Sequence, residues 1–186
     1  MRIIAGAQGG RRIRAPRGRG TRPTAERVRE AVFSALGPVD GFTVLDLFAG
    51  SGAMGLEALS RGASEVTLVD RGRAAHATIT RNVEELELGE RCKVLRADWR
   101  RALETVSGAE IRYDMVFLDP PYDEWGALQD ELGPALVAVL DPAARLVAEH
   151  PATEAPSLQH MQVERRRTYG DTAVSFLAPT ALALDT

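Results

Sequence analysis

The four residues Asp119-Pro120-Pro121-Tyr122 carry the most specific chemistry in this sequence. They follow an apolar run, Tyr113–Leu118, that reads as a buried strand. Two prolines fix the backbone torsions and remove two amide donors, which leaves a stiff turn presenting carbonyl oxygens. An exocyclic base amine is a poor nucleophile because its lone pair is delocalised into the ring. The Asp119 carboxylate and the Pro120 carbonyl would accept its two N–H protons and orient that lone pair toward an electrophile. The same acceptors would stabilise the positive charge developing on nitrogen. Tyr122 would stack on the base and hold its plane. The alternative is a turn that merely starts the next helix.

A second constellation runs from Asp46 to Gly55, Asp-Leu-Phe-Ala-Gly-Ser-Gly-Ala-Met-Gly. Its glycines follow a strand and open a helix, where the backbone must turn sharply and approach a ligand closely. Gly50, Gly52 and Gly55 also satisfy the dinucleotide fingerprint, and Asp70 lies 20 residues after Gly50, so a nicotinamide-dependent oxidoreductase is one reading. Asp46 and Asp98 tilt the choice. Asp46 closes its strand before the glycines, where it would repel a pyrophosphate but answer an ammonium group. Asp98 follows a third strand, where an adenine amino group would donate to it. Acids at three successive strand ends suit a cofactor that is cationic at sulfur and at its amine. For any single Asp, capping of the next helix is the plainer alternative.

Charge is unevenly distributed. Residues 1–37 hold nine arginines (2, 11, 12, 14, 17, 19, 22, 27 and 29) against Glu26 and Glu30, a net of +7. The remainder carries −10, so the whole chain is at −3. A basic arm on an acidic body points to a polyanionic partner. Every cation of the arm is Arg, the residue suited to bidentate phosphate contact and base stacking. A solvated tail is the plainer reading of the charge alone.

These residues need elements to position them. Two short strands, 2–5 and 11–15, joined by a Gly-rich turn, would form a hairpin, and Arg17-Gly18-Arg19-Gly20 a flexible link. A helix starts with Thr24 as N-cap and shows Val28, Val32, Phe33 and Leu36 on one face until Gly37-Pro38 stops it. Strands are expected at 42–48, 65–69, 92–96, 113–118 and 144–149, alternating with helices at 53–61, 72–88 (closed by Gly89), 100–106 and 125–140. That alternation calls for a parallel sheet with helices on both faces. Strands 162–169 and 172–178, joined at Gly170-Asp171, add an antiparallel hairpin.

With 186 residues and 45% hydrophobic side chains, the chain suits one domain with a small appendage. One cysteine, Cys92, excludes an intrachain disulfide framework. Residues 1–12 lack the apolar core of a secretory signal, and no apolar run reaches the roughly 18 residues a bilayer requires. A cytoplasmic protein without membrane partner is expected. His76, His150 and His160 show no metal spacing, and no metal is expected. Trp125 could pack at a helix start or border a substrate mouth, and Arg165-Arg166-Arg167 could add to a polyanion surface or form a solvated edge.

On Arg2-Ile3-Ile4-Ala5-Gly6, Arg22-Pro23-Thr24 with Arg27-Val28-Arg29-Glu30, the Asp46–Gly55 loop, the Phe117–Tyr122 stretch and Tyr169-Gly170-Asp171-Thr172, the chain resembles the bacterial small-subunit ribosomal RNA guanine-N2 methyltransferase family. The resemblance implies an α/β fold of the class I S-adenosylmethionine-dependent (Rossmann-like) type. Its sheet would be seven-stranded and mostly parallel, ending in an antiparallel hairpin. Residues 1–20 would be a basic RNA-binding arm and 21–186 the catalytic domain. It implies methyl transfer from S-adenosylmethionine to a guanine flipped out of small-subunit RNA, within a partly assembled 30S particle; apart from the resemblance, a monomer is expected. Asp119, Pro120, Pro121 and Tyr122 would be catalytic. Gly50, Ser51 and Gly52 would line the methionine part of the cofactor, with Asp46 and Ala49 in the same set. Asp70 would take the ribose hydroxyls with Arg71 beside it, and Asp98 and Trp99 would flank the adenine. Arg2, Arg11, Arg12, Arg14, Arg17, Arg19, Arg22, Thr24 and Arg27 would meet RNA. The Asp-Pro-Pro-Tyr motif is shared with other amino methylators, so a DNA base or a protein glutamine also stands as substrate.

Overall fold

A computed structural model describes residues 1–16, 23–109 and 111–180. Arg17, Arg19 and Arg22 lie outside the described residues, as does the side chain of Thr24. The chain divides into two compact units, Met1–Trp99 and Arg100–Thr186. No helix among the described residues is long and apolar enough to cross a membrane.

The first unit holds α1 (Pro23–Leu36), β1 (Thr43–Asp46), α2 (Ala53–Ser60), β2 (Glu65–Val69), α3 (Arg73–Glu85) and β3 (Cys92–Leu95). Its strands run parallel in the order β3-β2-β1, with Asp46 beside Leu68 and Val69 beside Leu95. Val44, Leu45, Leu68 and Val69 are buried, as continuous apolar runs in a parallel sheet require. The second unit holds α4 (Trp99–Ser107, its first residue in the preceding unit), β4 (Tyr113–Leu118), α5 (Tyr122–Val137), β5 (Leu140–Pro151), β6 (Met161–Tyr169) and β7 (Thr172–Pro179). Here β4 pairs parallel with β5, then β5-β7-β6 follow antiparallel. Gly170, at φ 63°, makes the tight turn between β6 and β7. Seven strands, mostly parallel with an antiparallel C-terminal hairpin, agree with the fold class expected.

Several boundaries differ for identifiable reasons. Helix α1 begins at Pro23, so Thr24 is inside it and is not the cap; proline fits the first helical position because its missing N–H is unneeded there. Helix α3 ends at Glu85, before Gly89, and Glu87 takes a left-handed φ of 59°. That break buries both Leu86 and Leu88, worth about 1.5–3 kcal/mol each against about 1–2 kcal/mol for the strained torsion. Helix α5 starts at Tyr122, three residues earlier than expected, because Pro121 (φ −53°) leads into it and Asp123 and Glu124 favour its first turn. Strand β5 begins at Leu140, but the register shifts between Tyr113 and Met115 and resumes only at Arg145. The N-terminal hairpin is a single bridge, Arg2 to Arg12, rather than two strands. Backbone bonds still cross it, from the Ile3 N–H to the Arg11 carbonyl, the Gly10 N–H to the Ile3 carbonyl and the Ile13 N–H to the Met1 carbonyl, while the Ile4 and Ala5 amides donate to Glu57 and the Arg14 amide to Asn82.

Candidate functional site

Four amides of the glycine bend in the first unit are bonded within that unit. Gly50 N–H donates to Asp70 Oδ2 at 2.9 Å, Gly52 N–H to the Ala49 carbonyl at 2.7 Å, and Ala49 N–H to the Val69 carbonyl at 2.9 Å. Gly55 N–H donates to Asp46 Oδ2 at 3.0 Å. Gly50 and Gly52 hold left-handed φ values of 58° and 79°. Gly55 is needed for a different reason: a Cβ there would stand 2.4 Å from Leu68 Cδ2. A pyrophosphate cradle works by offering free amides to an anion. This bend has spent four of them and gathers two carboxylates, which weighs against the nicotinamide reading.

Asp46 is 3% exposed. Burial pushes its carboxyl up to about 7; the Gly55 amide opposes that shift and the charge of Asp70 adds to it. Asp70 holds the Gly50 amide with one oxygen and the Gly72 amide, at 2.7 Å, with the other. These carboxylate acceptors suit a ligand bearing a cationic amine and hydroxyls. Arg71 is exposed beside Asp70, Asp98 immediately precedes α4, and Trp99 is 6% exposed at its start.

The Asp46 carboxyl is raised in the folded chain, so the stabilisation it contributes is complete below about pH 4 and is lost as the pH rises through about 7. Asp46→Asn keeps an oxygen for the Gly55 amide and removes the charge. We expect the variant to be more stable than the parent at pH 8, by on the order of 3–4 kcal/mol, with little difference near pH 4. Denaturant midpoints at the two pH values measure this, and an equal difference at both would exclude Asp46 as the titrating group.

The N-terminal segment is built onto the same unit. Glu57 of α2 is fully buried and accepts the Ile4 and Ala5 amides at 2.8 and 3.0 Å. Arg61 Nε donates to it at 2.7 Å, and Arg29 Nε lies 3.4 Å away, an ion pair without a hydrogen bond. Arg29 also donates to the Arg2 carbonyl. Burial lowers the Arg29 pKa, and Glu57 offsets part of that. Gly6, at φ 81°, lies so close to α2 that a Cβ would stand 1.8 Å from the Ser60 carbonyl oxygen. Arg2, Arg12 and Arg14 border a concavity of about 750 Å³, together with Glu26 and Glu85. Arg14 pairs with Glu85 at 2.8 Å and holds that carboxyl low. Arg11 turns away to the carbonyls of Glu85 and Leu86, and Arg27 is exposed on α1. Arg29, counted among the basic residues of this region, is structural.

In the second unit, Asp119 and Tyr122 are exposed while Pro120 is buried. The turn both ends β4 and starts α5: Pro121 takes ψ 138°, and its carbonyl accepts the Glu124 amide at 3.0 Å. The Tyr122 hydroxyl bonds to Thr172 Oγ1 at the start of β7, which restrains the ring. Three residues on, Trp125 is fully buried and stacks on His150, with centroids 5.4 Å apart, so it packs the helix start rather than bordering a mouth. His150 Nε2 in turn meets Ser175 Oγ at 2.9 Å. Arg165 and Arg166 are exposed on the edge strand β6, whose register slips at Glu164. Among the described residues no His, Cys, Asp and Glu cluster could hold a metal. Sequence reasoning missed Glu57 and Asn82. The signal for each was a lone polar residue on an apolar helix face.

Residues 1–178 match a protein family described as "Conserved hypothetical protein 95". The Bacillus subtilis (strain 168) protein named "Putative rRNA methyltransferase YlbH" is 40% identical over 94% of this chain and 97% of its own length. The Escherichia coli (strain K12) "Ribosomal RNA small subunit methyltransferase D" is 40% identical over 66% of this chain and 60% of its own. A solved structure entitled "Putative methyltransferase yhhF from Escherichia coli" superposes with a TM-score of 0.76 at 30% identity, covering 97% of this chain and 98% of that one.

Proposed function

The chain belongs to the family described as conserved hypothetical protein 95, and we propose that it transfers a methyl group from S-adenosylmethionine to the exocyclic N2 of a guanine in small-subunit ribosomal RNA. The observation that carries this reading is the Asp119-Pro120-Pro121-Tyr122 turn at the end of β4, with its acid and aromatic exposed and its first proline buried. The two relatives described above, one named for ribosomal RNA and one for the small subunit, support the substrate class.

Asp46, Ala49, Gly50, Ser51, Gly52 and Asp70 would hold the cofactor, with Arg71, Asp98 and Trp99 at its nucleoside end. The buried Asp46 carboxyl would ionise against the cofactor amine. S-adenosylmethionine would supply an electrophilic methyl on a sulfonium, with a neutral thioether as its leaving group. Asp119 and the Pro120 carbonyl orient the amine, and Asp119 or water takes the proton it loses. Tyr122 holds the base plane, and its tie to Thr172 limits the ring's motion. The protein's contribution is positioning and charge stabilisation.

The exposed guanidiniums of Arg2, Arg12 and Arg14 would contact phosphates, which would offset the few kcal/mol needed to extract a stacked base. Arg11, Arg17, Arg19, Arg22, Thr24 and Arg27 are proposed as further RNA contacts, Arg11 only on leaving the Glu85 and Leu86 carbonyls it now meets. The substrate is small-subunit RNA in a partly assembled 30S particle, and the enzyme acts as a cytoplasmic monomer with residues 1–20 as its RNA arm.

Mass mapping of 16S ribosomal RNA from cells with and without this protein tests the reading. One guanine should lose a 14-Da N2-methyl mark when the protein is absent, and purified protein should restore it with labelled S-adenosylmethionine. Unchanged RNA, with methyl transfer instead to DNA or to a protein glutamine, would overturn the substrate.

A further inference from the structure

One buried amide in the first unit serves two segments to which the proposed function gives different ligands. Asn82 is fully buried on α3, on the face that also buries Ile79 and Val83. Its Nδ2 donates to the Ser51 carbonyl at 2.9 Å and to the Arg14 carbonyl at 3.0 Å, and its Oδ1 accepts the Arg14 amide at 2.8 Å. Both side-chain N–H groups and the oxygen are therefore used.

The Ser51 carbonyl and the Gly52 N–H belong to one planar peptide. Gly52 N–H is bound to the Ala49 carbonyl, so Asn82 pins the other end of that peptide in the middle of the bend. Arg14 is held at both its N–H and its carbonyl, as a partner strand would hold it, and its side chain borders the arginine-lined concavity. Ser51 Oγ also lies 3.5 Å from Met1 Sδ, a second link between bend and arm. Apolar packing alone does not call for an amide, which is tolerated in a buried position only when, as here, it is fully bonded.

We infer that Asn82 is a positioning residue that couples cofactor binding to RNA binding. The inference rests on the proposed function, in which the bend holds S-adenosylmethionine and the arm meets RNA. A ligand that fixes the Ser51 peptide fixes the Asn82 side chain and, through it, the Arg14 backbone. RNA then meets an arm whose ordering cost is already met. The coupling is reciprocal: RNA tightens the cofactor by the factor with which the cofactor tightens RNA.

The test uses the full chain, S-adenosylhomocysteine as the unreactive cofactor form, and small-subunit ribosomal RNA. Saturating S-adenosylhomocysteine should tighten RNA binding about fivefold. It should also slow hydrogen exchange at the Arg14 amide about threefold or more, while the Leu103 amide of α4 is unchanged. Asn82→Leu keeps the volume and removes all three bonds, and should bring the RNA affinity ratio with and without cofactor to about one. If that variant does not fold, Arg14 exchange in the parent protein decides. Failure of the parent to bind S-adenosylhomocysteine at all would strike the proposed function. Binding with unchanged Arg14 exchange, or an unchanged affinity ratio in folded Asn82→Leu, would overturn the coupling alone.

Discussion

Asp119→Ala is expected to lower the methyl-transfer kcat by about 10²–10³-fold while leaving S-adenosylmethionine affinity within about twofold of the parent. Asp119 carries the only carboxylate in the Asp119–Tyr122 turn, and it acts as charge develops on the amine. Its removal should therefore fall on the transition state more than on either bound ligand. Stability should change little, since Asp119 is exposed and the backbone of the turn is set by two prolines. Asp119→Asn retains a carbonyl oxygen for one N–H but loses the charge, so it should fall between the two, within about 10–100-fold of the parent. Single-turnover rates with calorimetry of cofactor binding measure both quantities. Turnover retained in Asp119→Ala would reject the carboxylate as the orienting acceptor. A parallel collapse of cofactor affinity would instead show that the residue holds the cofactor.

The turn and the glycine bend were legible because their chemistry is local. Proline restricts its own torsions and glycine permits left-handed ones, so Asp119-Pro120-Pro121 and Gly50-Ser51-Gly52 announce their backbone without reference to distant residues. The mostly parallel sheet was legible for a related reason: continuous apolar runs alternating with helical patterns allow few arrangements. What escaped depended on partners far along the chain. Glu57 is one acid in the short helix Ala-Met-Gly-Leu-Glu-Ala-Leu-Ser, and its partners Ile4 and Ala5 lie more than fifty residues away. Asn82 is one amide on a buried helix face, serving Arg14 and Ser51. Charge counting erred in the same way. Nothing in Arg27-Val28-Arg29 says which arginine faces solvent, yet Arg27 is exposed and Arg29 is 3% exposed. The strands expected at 2–5 and 11–15 reduced to one bridge with a few flanking backbone bonds, and the distant Glu57 and Asn82 hold the Ile4, Ala5 and Arg14 amides.

Glu57 therefore leads to an expectation about stability that the basic character of the arm would hide. Glu57→Ala removes the acceptor of two backbone amides and leaves Arg29 buried without its counter-ion. Removing one partner of a buried ion pair costs about 3–5 kcal/mol, because the remaining charge is uncompensated. For a chain of this size that lowers the melting temperature by about 10 °C. If the penalty comes from the stranded guanidinium, replacing both charges should be milder than replacing one. Glu57→Leu with Arg29→Met should recover more than half of the loss. The Ile4 and Ala5 amides should exchange faster in every Glu57 variant, while amides on β4 in the second unit should not change in the folded ensemble. A loss below about 1 kcal/mol in Glu57→Ala would mean that water replaces the carboxylate at no cost and that the apolar contacts of Ile3 and Ile13 and the Asn82 and Ser60 bonds suffice to hold the arm. The same network decides how the arm's role in RNA binding should be probed. Truncating the first sixteen residues strips cations and uncovers the Glu57 and Arg29 pair together, so lost RNA affinity would mix electrostatics with unfolding. Neutralising Arg12, whose side chain is exposed at the concavity, removes a charge and leaves the buried network whole.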